Sequence, residues 1–295
     1  STVFFVLDRD TVSTAASVLW RSNGTADGTI PVTVMAGGRV NLNPNDLLTT
    51  DDHAYFQHTG SNPQELWRVD LSGVGATAVL DANSAKVTNS VDRTVAAGTL
   101  YFVRNSSLWL VDAGGVAVEF LDGASAGLNA ANITSFKNDV FFTVAATGDL
   151  WKIQGGTSPS VVVGVSGASQ LTVLRNAAGT ELALIVASTD GKLYSTTDGA
   201  TFAAIDNSLN FTSFVDVDGA LYFATGSSLH KSVSTYGVGN TTEIKDIDGA
   251  AIAGATDLTS LDGTLYFGVT KGGEKQLWRV NVGGKGLPVG LFQSV

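Results

Sequence analysis

Short apolar runs alternate with short polar, glycine-rich breaks along the whole chain. No window of about 11 residues carries helical spacing. The stretch 132–163 shows the pattern. Asn132-Ile-Thr-Ser-Phe136, Val140-Phe-Phe-Thr-Val144, Leu150-Trp-Lys-Ile153 and Ser160-Val-Val-Val163 are separated by Lys137-Asn-Asp139, Ala145-Ala-Thr-Gly-Asp149 and Gln154-Gly-Gly-Thr-Ser-Pro159. β-Branched and aromatic runs bounded by turn residues predict four short strands. Asp-Gly in Val217-Asp-Gly-Ala220 and Leu261-Asp-Gly-Thr264 predicts tight hairpin turns there.

The same four-run unit recurs. An apolar-aromatic triplet returns as Val3-Phe-Phe5, Ala54-Tyr-Phe56, Leu100-Tyr-Phe102, Val140-Phe-Phe142, Ala183-Leu-Ile185, Leu221-Tyr-Phe223 and Leu265-Tyr-Phe267. The middle residues advance by roughly 44 per step, the length of a four-stranded propeller blade. A second anchor follows in phase: Trp20, Trp67, Trp109, Trp151, Tyr194, His230 and Trp278, which takes in all five tryptophans of the chain. The triplet is expected on a second strand buried on both faces, and the anchor on a third strand, wedged between neighbouring blades. One such unit cannot cover both of its faces, so the units must stack. The expected fold is all-β: one seven-bladed β-propeller domain over 1–295, of four-stranded antiparallel blades, with units near 1–40, 41–86, 87–127, 128–167, 168–208, 209–253 and 254–295. The chain starts on a second strand, so the first blade is expected either with three strands or completed from elsewhere, for which Leu291–Val295 is one candidate. Residue 1 is Ser rather than Met, which points to a processed or excerpted chain.

Composition narrows the function. Hydrophobic residues make up 44% and charged residues only 15%, so the surface is largely Ser, Thr, Asn and Gly. The formal net charge of −10 argues against nucleic-acid or anionic-membrane partners, which need basic patches. There is no cysteine, hence no disulfide, thiolate ligand or thiol nucleophile. The longest apolar runs fall far short of the ~20 residues that span a bilayer. Gly123-Ala-Ser-Ala-Gly127 has the Gly-x-Ser-x-Gly spacing but not the strand-to-helix pattern of a nucleophile elbow, and Gly-rich strings such as Asp112-Ala-Gly-Gly115 lie in hairpin context, without the helix a phosphate loop needs.

Leu19-Trp-Arg-Ser-Asn-Gly-Thr-Ala-Asp-Gly-Thr29 resembles the Glu-Leu-Trp-x-x-Asp-Gly-Thr-x-x-Gly-Thr repeat of bacterial secreted propeller proteins, with Asn23 where Asp is usual. Glu65-Leu-Trp-Arg-Val-Asp70 keeps the first half, and later units keep Leu-Trp or less. The resemblance implies an extracellular or cell-surface protein, adhesin-like, with a binding or scaffold role. Lys192-Leu-Tyr-Ser-Thr-Thr-Asp-Gly-Ala-Thr-Phe202 resembles a degenerate Asp-box hairpin, one residue short and with Phe202 in place of Trp. In that family the box staples a turn.

Candidate site residues cluster in loops. Asp81, Asp122, Asp206 and Asp248 follow similar Leu-Asp or Ile-Asp steps at fourth-strand exits, which suggests an acidic ring on one face. The competing reading is an Asx turn that stabilises each loop, and it is preferred. Asp8-Arg9-Asp10 opens the longest second-to-third-strand loop, with Asp-x-Asp spacing suited to Ca²⁺ through Asp8 and Asp10, although a plain solvated loop is the preferred reading. Arg9, Arg39, His58, Arg104 and Asp81 are expected to share that face, which leaves a polysaccharide-acting enzyme as a third class. His53, His58 and His230 fall in different blades or on different faces, so no three-histidine zinc site is expected. First strands begin alike, as Asn132-Ile-Thr-Ser, Asn210-Phe-Thr-Ser and Asp257-Leu-Thr-Ser, and are expected to line a water-filled channel. The leading expectation is a noncatalytic module that recognises glycan or a surface protein, with no organic cofactor and Ca²⁺ as the one candidate ion. The second is a structural subunit of a surface layer, filament or large assembly, with self-association through blade edges.

Overall fold

A computed structural model describes residues 2–7, 17–34, 44–120, 128–156, 158–205, 210–232, 241–281 and 283–290. Every regular element among them is a β-strand, and the strands form seven sheets in chain order. The chain divides into two compact units, residues 1–140 with 153–159, and residues 141–152 with 160–295.

In the first unit, the first sheet has three strands among the described residues, Val3–Leu7, Val18–Ser22 and Ile30–Pro31. The candidate for a further strand there, Leu291–Val295, lies outside the described residues. The second sheet is Pro44–Thr49, His53–His58, Glu65–Asp70 and Thr77–Ala78. The third is Val91–Ala96, Thr99–Arg104, Ser107–Val111 and Val116–Glu119, joined by Leu80–Asp81. This fifth strand corrects the uniform four-strand expectation. Leu80–Asp81 continues past the second sheet and pairs parallel with Val116 and Ala117, carried there by the buried Val79 and by a turn built on Asp81. The fourth repeat, Ala130–Phe136, Asp139–Val144, Asp149–Ile153 and Ser160–Val161, contains the division between the units.

The second unit continues with the fifth sheet, Ala168–Arg175, Glu181–Ser188, Leu193–Thr196 and Ala203–Ala204. The sixth is Phe211–Val217, Ala220–Thr225, Leu229–Ser232 and Thr241–Ile244, and the seventh is Thr256–Leu261, Thr264–Lys271, Glu274–Val280 and Gly286–Gly290.

The second strands of the second to sixth sheets lose their two-residue alternation because both faces are covered. Ala54 through Gln57 and Leu100 through Val103 are all buried. The cores lie between consecutive sheets. Phe4, Leu19 and Val32 of the first pack with Phe56 and Val69 of the second. Tyr55 and Leu66 pack with Phe102 and Val111, Ile185 and Leu193 with Leu221 and Phe223, and Leu229 and Ile252 with Phe267 and Trp278.

Register explains the Leu-Trp anchor. The last residue of the triplet stands directly opposite the anchor: Phe5 to Trp20, Phe56 to Trp67, Phe102 to Trp109, Phe223 to His230 and Phe267 to Trp278. The rings pair across the strands at centroid distances of 6.5 Å for Phe56–Trp67, 6.4 Å for Phe102–Trp109 and 5.2 Å for Phe223–His230. Such pairs add to plain area burial. In the first four repeats the leucine goes deeper than the tryptophan, and in the seventh the order reverses, with Trp278 buried and Leu277 half-buried. Leu19, Leu66, Leu108 and Leu150 are fully buried, whereas Trp20, Trp67, Trp109 and Trp151 are half-buried. The expected wedge is therefore the Leu-Trp pair, with Leu at the centre in the first four repeats. In the fifth repeat Tyr194 stands opposite Val186, so the matching triplet is Leu184-Ile185-Val186, one residue later than the sequence suggested. The run there has no aromatic residue to mark its register, and a shift of one residue exchanges the faces.

Candidate functional site

Among the described residues one turn headed by Asp or Asn recurs five times. At Asp81, Asp112, Asn176, Asp246 and Asn281 the backbone N–H donates to the carbonyl four residues on, and the carbonyl accepts from the N–H three residues on. The side-chain Oδ1 then accepts the N–H four residues on, from Ala85 (3.0 Å), Val116 (2.9 Å), Thr180 (2.9 Å), Ala250 (2.8 Å) and Lys285 (2.9 Å). The fourth residue sits at positive φ: Ser84, Gly115, Gly179, Gly249 and Gly284. Only glycine takes that conformation freely, which places the Gly in the sequence pattern. Asp or Asn at the first position folds the chain back on itself through its side chain.

Asp81 and Asp246 are the buried members, at 9% and 7% exposure. They are equivalent, with matching bridges Leu80 to Lys86 and Lys245 to Ala251. The sequence had matched Asp81 with Asp248 instead. Asp248 is exposed on the turn, and its N–H donates to Asp246. The error came from matching Ile247-Asp248 to Leu80-Asp81, which overlooks that the turn is counted from its first carboxylate.

The remaining expected site residues separate. Asp81 and Arg104 do meet: Arg104 Nη1 donates to Asp81 Oδ2 at 3.2 Å and the guanidinium lies 5.0 Å from the Trp109 ring centroid. Burial would raise the Asp81 carboxyl, but the Ala85 N–H, Arg104 and the Asn83 N–H hold it below its usual range. Both oxygens are thus occupied. His58 makes a different contact, with Nδ1 3.9 Å from Glu65 Oε2, and burial pushes its pKa down against the pull of Glu65. Glu65 accepts from Lys86 Nζ (2.9 Å) and from Trp67 Nε1 (3.0 Å). The Glu of Glu-Leu-Trp is therefore an indole cap, a role Gln276 fills for Trp278 at 3.1 Å. Asp8, Arg9, Asp10, Arg39, Asp122 and Asp206 lie outside the described residues. Among the described residues no group of three His, Asp or Glu side chains is placed to hold a metal ion.

Asp198 staples the hairpin turn that resembles an Asp-box. Asp198 Oδ1 accepts the N–H groups of Ala200 (2.8 Å) and Thr201 (2.9 Å) and the Thr196 hydroxyl (2.8 Å). The Thr201 and Ala200 N–H groups lead in lowering its pKa from 3.8 to about 2. A depressed carboxylate stabilises the fold above its unfolded pKa and loses that contribution as pH falls through the folded one. Between about pH 4 and 2, wild type is expected to lose more stability than Asp198→Ala, as read from thermal midpoints. Parallel curves for the two would contradict the assignment.

A groove forms instead where the first strands of the second and third sheets begin. Both strands carry a bulge near Asp46 and Asp92, opposite Phe56 and Phe102, and the aspartates sit at φ 50° and 45°. Asp tolerates this region better than most residues, and bulges redirect side chains. The shift presents Asp46, Leu47, Leu48, Asp92 and Arg93 around a space of about 360 Å³. Arg93 is held from three sides. It donates to Gln57 Oε1, Asp46 Oδ2 and Ser90 Oγ, and its side chain is 6% exposed. Asp92 is exposed. None of these residues stood out in the sequence. The signal was their position two residues before Leu48 and Thr94, which face the triplet tyrosines, a position shared by Asp257.

Comparison with known proteins finds no matching family model and no matching curated protein. Solved structures do match. Dipeptidyl peptidase 4 of Porphyromonas gingivalis aligns at TM-score 0.56 and 11% identity over 94% of this chain, which spans half of that one. Virginiamycin B lyase of Staphylococcus aureus aligns at 0.46 and 16% identity over 85% of each chain. The β-propeller domain of the Trilobed protease from Pyrococcus furiosus aligns at 0.44 and 12% identity over 100% of this chain and 96% of that one. At such identities the likeness is one of fold and carries no activity across. With seven sheets in sequence order, antiparallel except where Leu80–Asp81 joins the third, this chain is an all-β protein of the β-propeller class.

Proposed function

We propose that this chain is a noncatalytic extracellular binding module, adhesin-like, that recognises a glycan or protein ligand through the Asp46–Arg93 groove. The observation that carries the reading is Arg93, a nearly buried guanidinium fixed by Gln57, Ser90 and Asp46 beside the exposed Asp92. Fixed polar groups beside the apolar Leu47 and Leu48 suit a ligand rich in hydroxyl or amide groups. The resemblance to secreted propeller repeats and the Ser-, Thr-, Asn- and Gly-rich surface support the location. The groove brings no metal-ligand set together, so calcium dependence is not expected of it.

Titration of the purified chain against a broad panel of glycans and surface proteins tests the reading. Saturable binding to a narrow class, unchanged by chelator, is the expected result. No binding anywhere in the panel would remove it.

A second reading, a subunit of a surface assembly, rests on strand Val3–Leu7. It forms one edge of its sheet among the described residues and exposes Val3, Val6 and Leu7 at 60%, 38% and 46%. An apolar edge strand is a template for pairing with another chain. Sedimentation showing self-association as concentration rises would favour it.

A further inference from the structure

The third and seventh repeats share the same strand registers but differ at the position of Arg104. Arg104 lies two residues beyond Phe102, opposite Ser107, and bridges the buried Asp81 carboxylate to the face of Trp109. The residue two beyond Phe267, opposite Gln276, is Val269. Both partners of the missing arginine are kept. Asp246 makes the same turn as Asp81, and Trp278 pairs with Phe267 as Trp109 does with Phe102. With the arginine gone, a cavity of about 190 Å³ remains, lined by Asp246, Ile252, Val269, Lys271 and Trp278 among others. Asp246 Oδ1 accepts the N–H groups of Asp248 and Ala250, while Oδ2 has no partner among the described residues.

We propose that this cavity binds an alkylguanidinium group, which takes the place that Arg104 fills in the third repeat. A carboxylate 7% exposed against an apolar wall gains most from a cation that brings its own donors. A guanidinium supplies paired N–H groups to the carboxylate and a flat, weakly hydrated face to the indole. The volume is below the range of about 300–1,000 Å³ typical of whole-ligand pockets, so it suits one side chain or a small amine. Lys271 stands at the rim with Nζ 5.5 Å from the Trp278 ring centroid, and it makes no ion pair with Asp246. It competes for the ring and does not satisfy the carboxylate. The site is separate from the Asp46–Arg93 groove, so either can fail without the other.

The test is an NMR titration of the whole chain that follows the Trp278 indole. The probes are agmatine, N-acetylarginine amide and, as a neutral control of the same shape, N-acetylcitrulline amide. The expected result is a saturable shift with one or both guanidinium probes and none with citrulline. A response to agmatine alone assigns the site to free small guanidines, and a response to the arginine amide extends it to side chains of a partner. Asp246→Asn is expected to weaken binding about tenfold or more, the usual range for losing a charged hydrogen-bond partner. The turn should persist in that variant, because Asn176 and Asn281 hold the same turn. Lys271→Met is expected to tighten binding. A citrulline response equal to arginine, unchanged binding in Asp246→Asn, or no saturable shift would overturn the proposal. Weaker binding in Lys271→Met would also overturn it, because Lys271 itself would then be part of the occupied site.

Discussion

Asp81→Ala is expected to lower stability by about 3–5 kcal/mol, the range for removing one partner of a buried ion pair. The variant strands the Arg104 guanidinium, 14% exposed, and frees the Asn83 and Ala85 N–H groups together. Asp81→Asn keeps an acceptor for both N–H groups and loses only the charge facing Arg104. Its loss is expected to be about half as large, since a charged hydrogen bond contributes roughly 1.5–3 kcal/mol. Urea denaturation of both variants separates the turn from the ion pair. Equal and small losses would mean that Asp81 is not a structural residue and would return it to the candidate ligands.

Phe102→Ala is the second large effect, expected at about 3–5 kcal/mol for a large buried aromatic truncated in a packed core. Phe102 is fully buried, stacks on Trp109, and belongs to the core that joins Tyr55, Leu66 and Val87 to Leu100 and Val111. Val118→Ala on the same sheet is the contrast, since Val118 is 42% exposed and should shift the urea midpoint little. A Phe102→Ala loss no larger than that of Val118→Ala would contradict the cross-strand pair as the element that joins the sheets.

The architecture was legible because its signals are periodic. Triplet and anchor recur in phase, and register makes them cross-strand neighbours, so repeats with aromatic residues in both slots were read correctly. The fifth repeat misled because Leu184, Ile185 and Val186 are interchangeable to the eye, and only the pairing of Val186 with Tyr194 fixes them. The fifth strand of the third sheet was hidden because Leu80–Asp81 pairs parallel with a strand far along the chain.

Sites were less legible, for a different reason. A lone Asp in a loop has the same sequence signature whether it binds a ligand or its own backbone. Asp81 and Asp246 proved to bind their own backbone, while Asp248 stands free of that role. The groove depends on bulges at Asp46 and Asp92, which take shape only when the strands pair. The cavity beside Asp246 depends on Val269 standing where Arg104 stands in the third repeat, and only the pairing registers show that equivalence.

The proposed function places recognition in the groove and not at the acidic loop tips. Titration of a ligand selected from the panel against wild type, Asp92→Asn and Asp248→Asn separates the two. Asn is tolerated at the positive φ of Asp92, so the fold should be kept. Affinity is expected to be about tenfold lower in Asp92→Asn, because a charged acceptor becomes neutral, and unchanged in Asp248→Asn. Loss of binding in Asp248→Asn with full binding in Asp92→Asn would place the ligand on the loop tips and contradict the proposal.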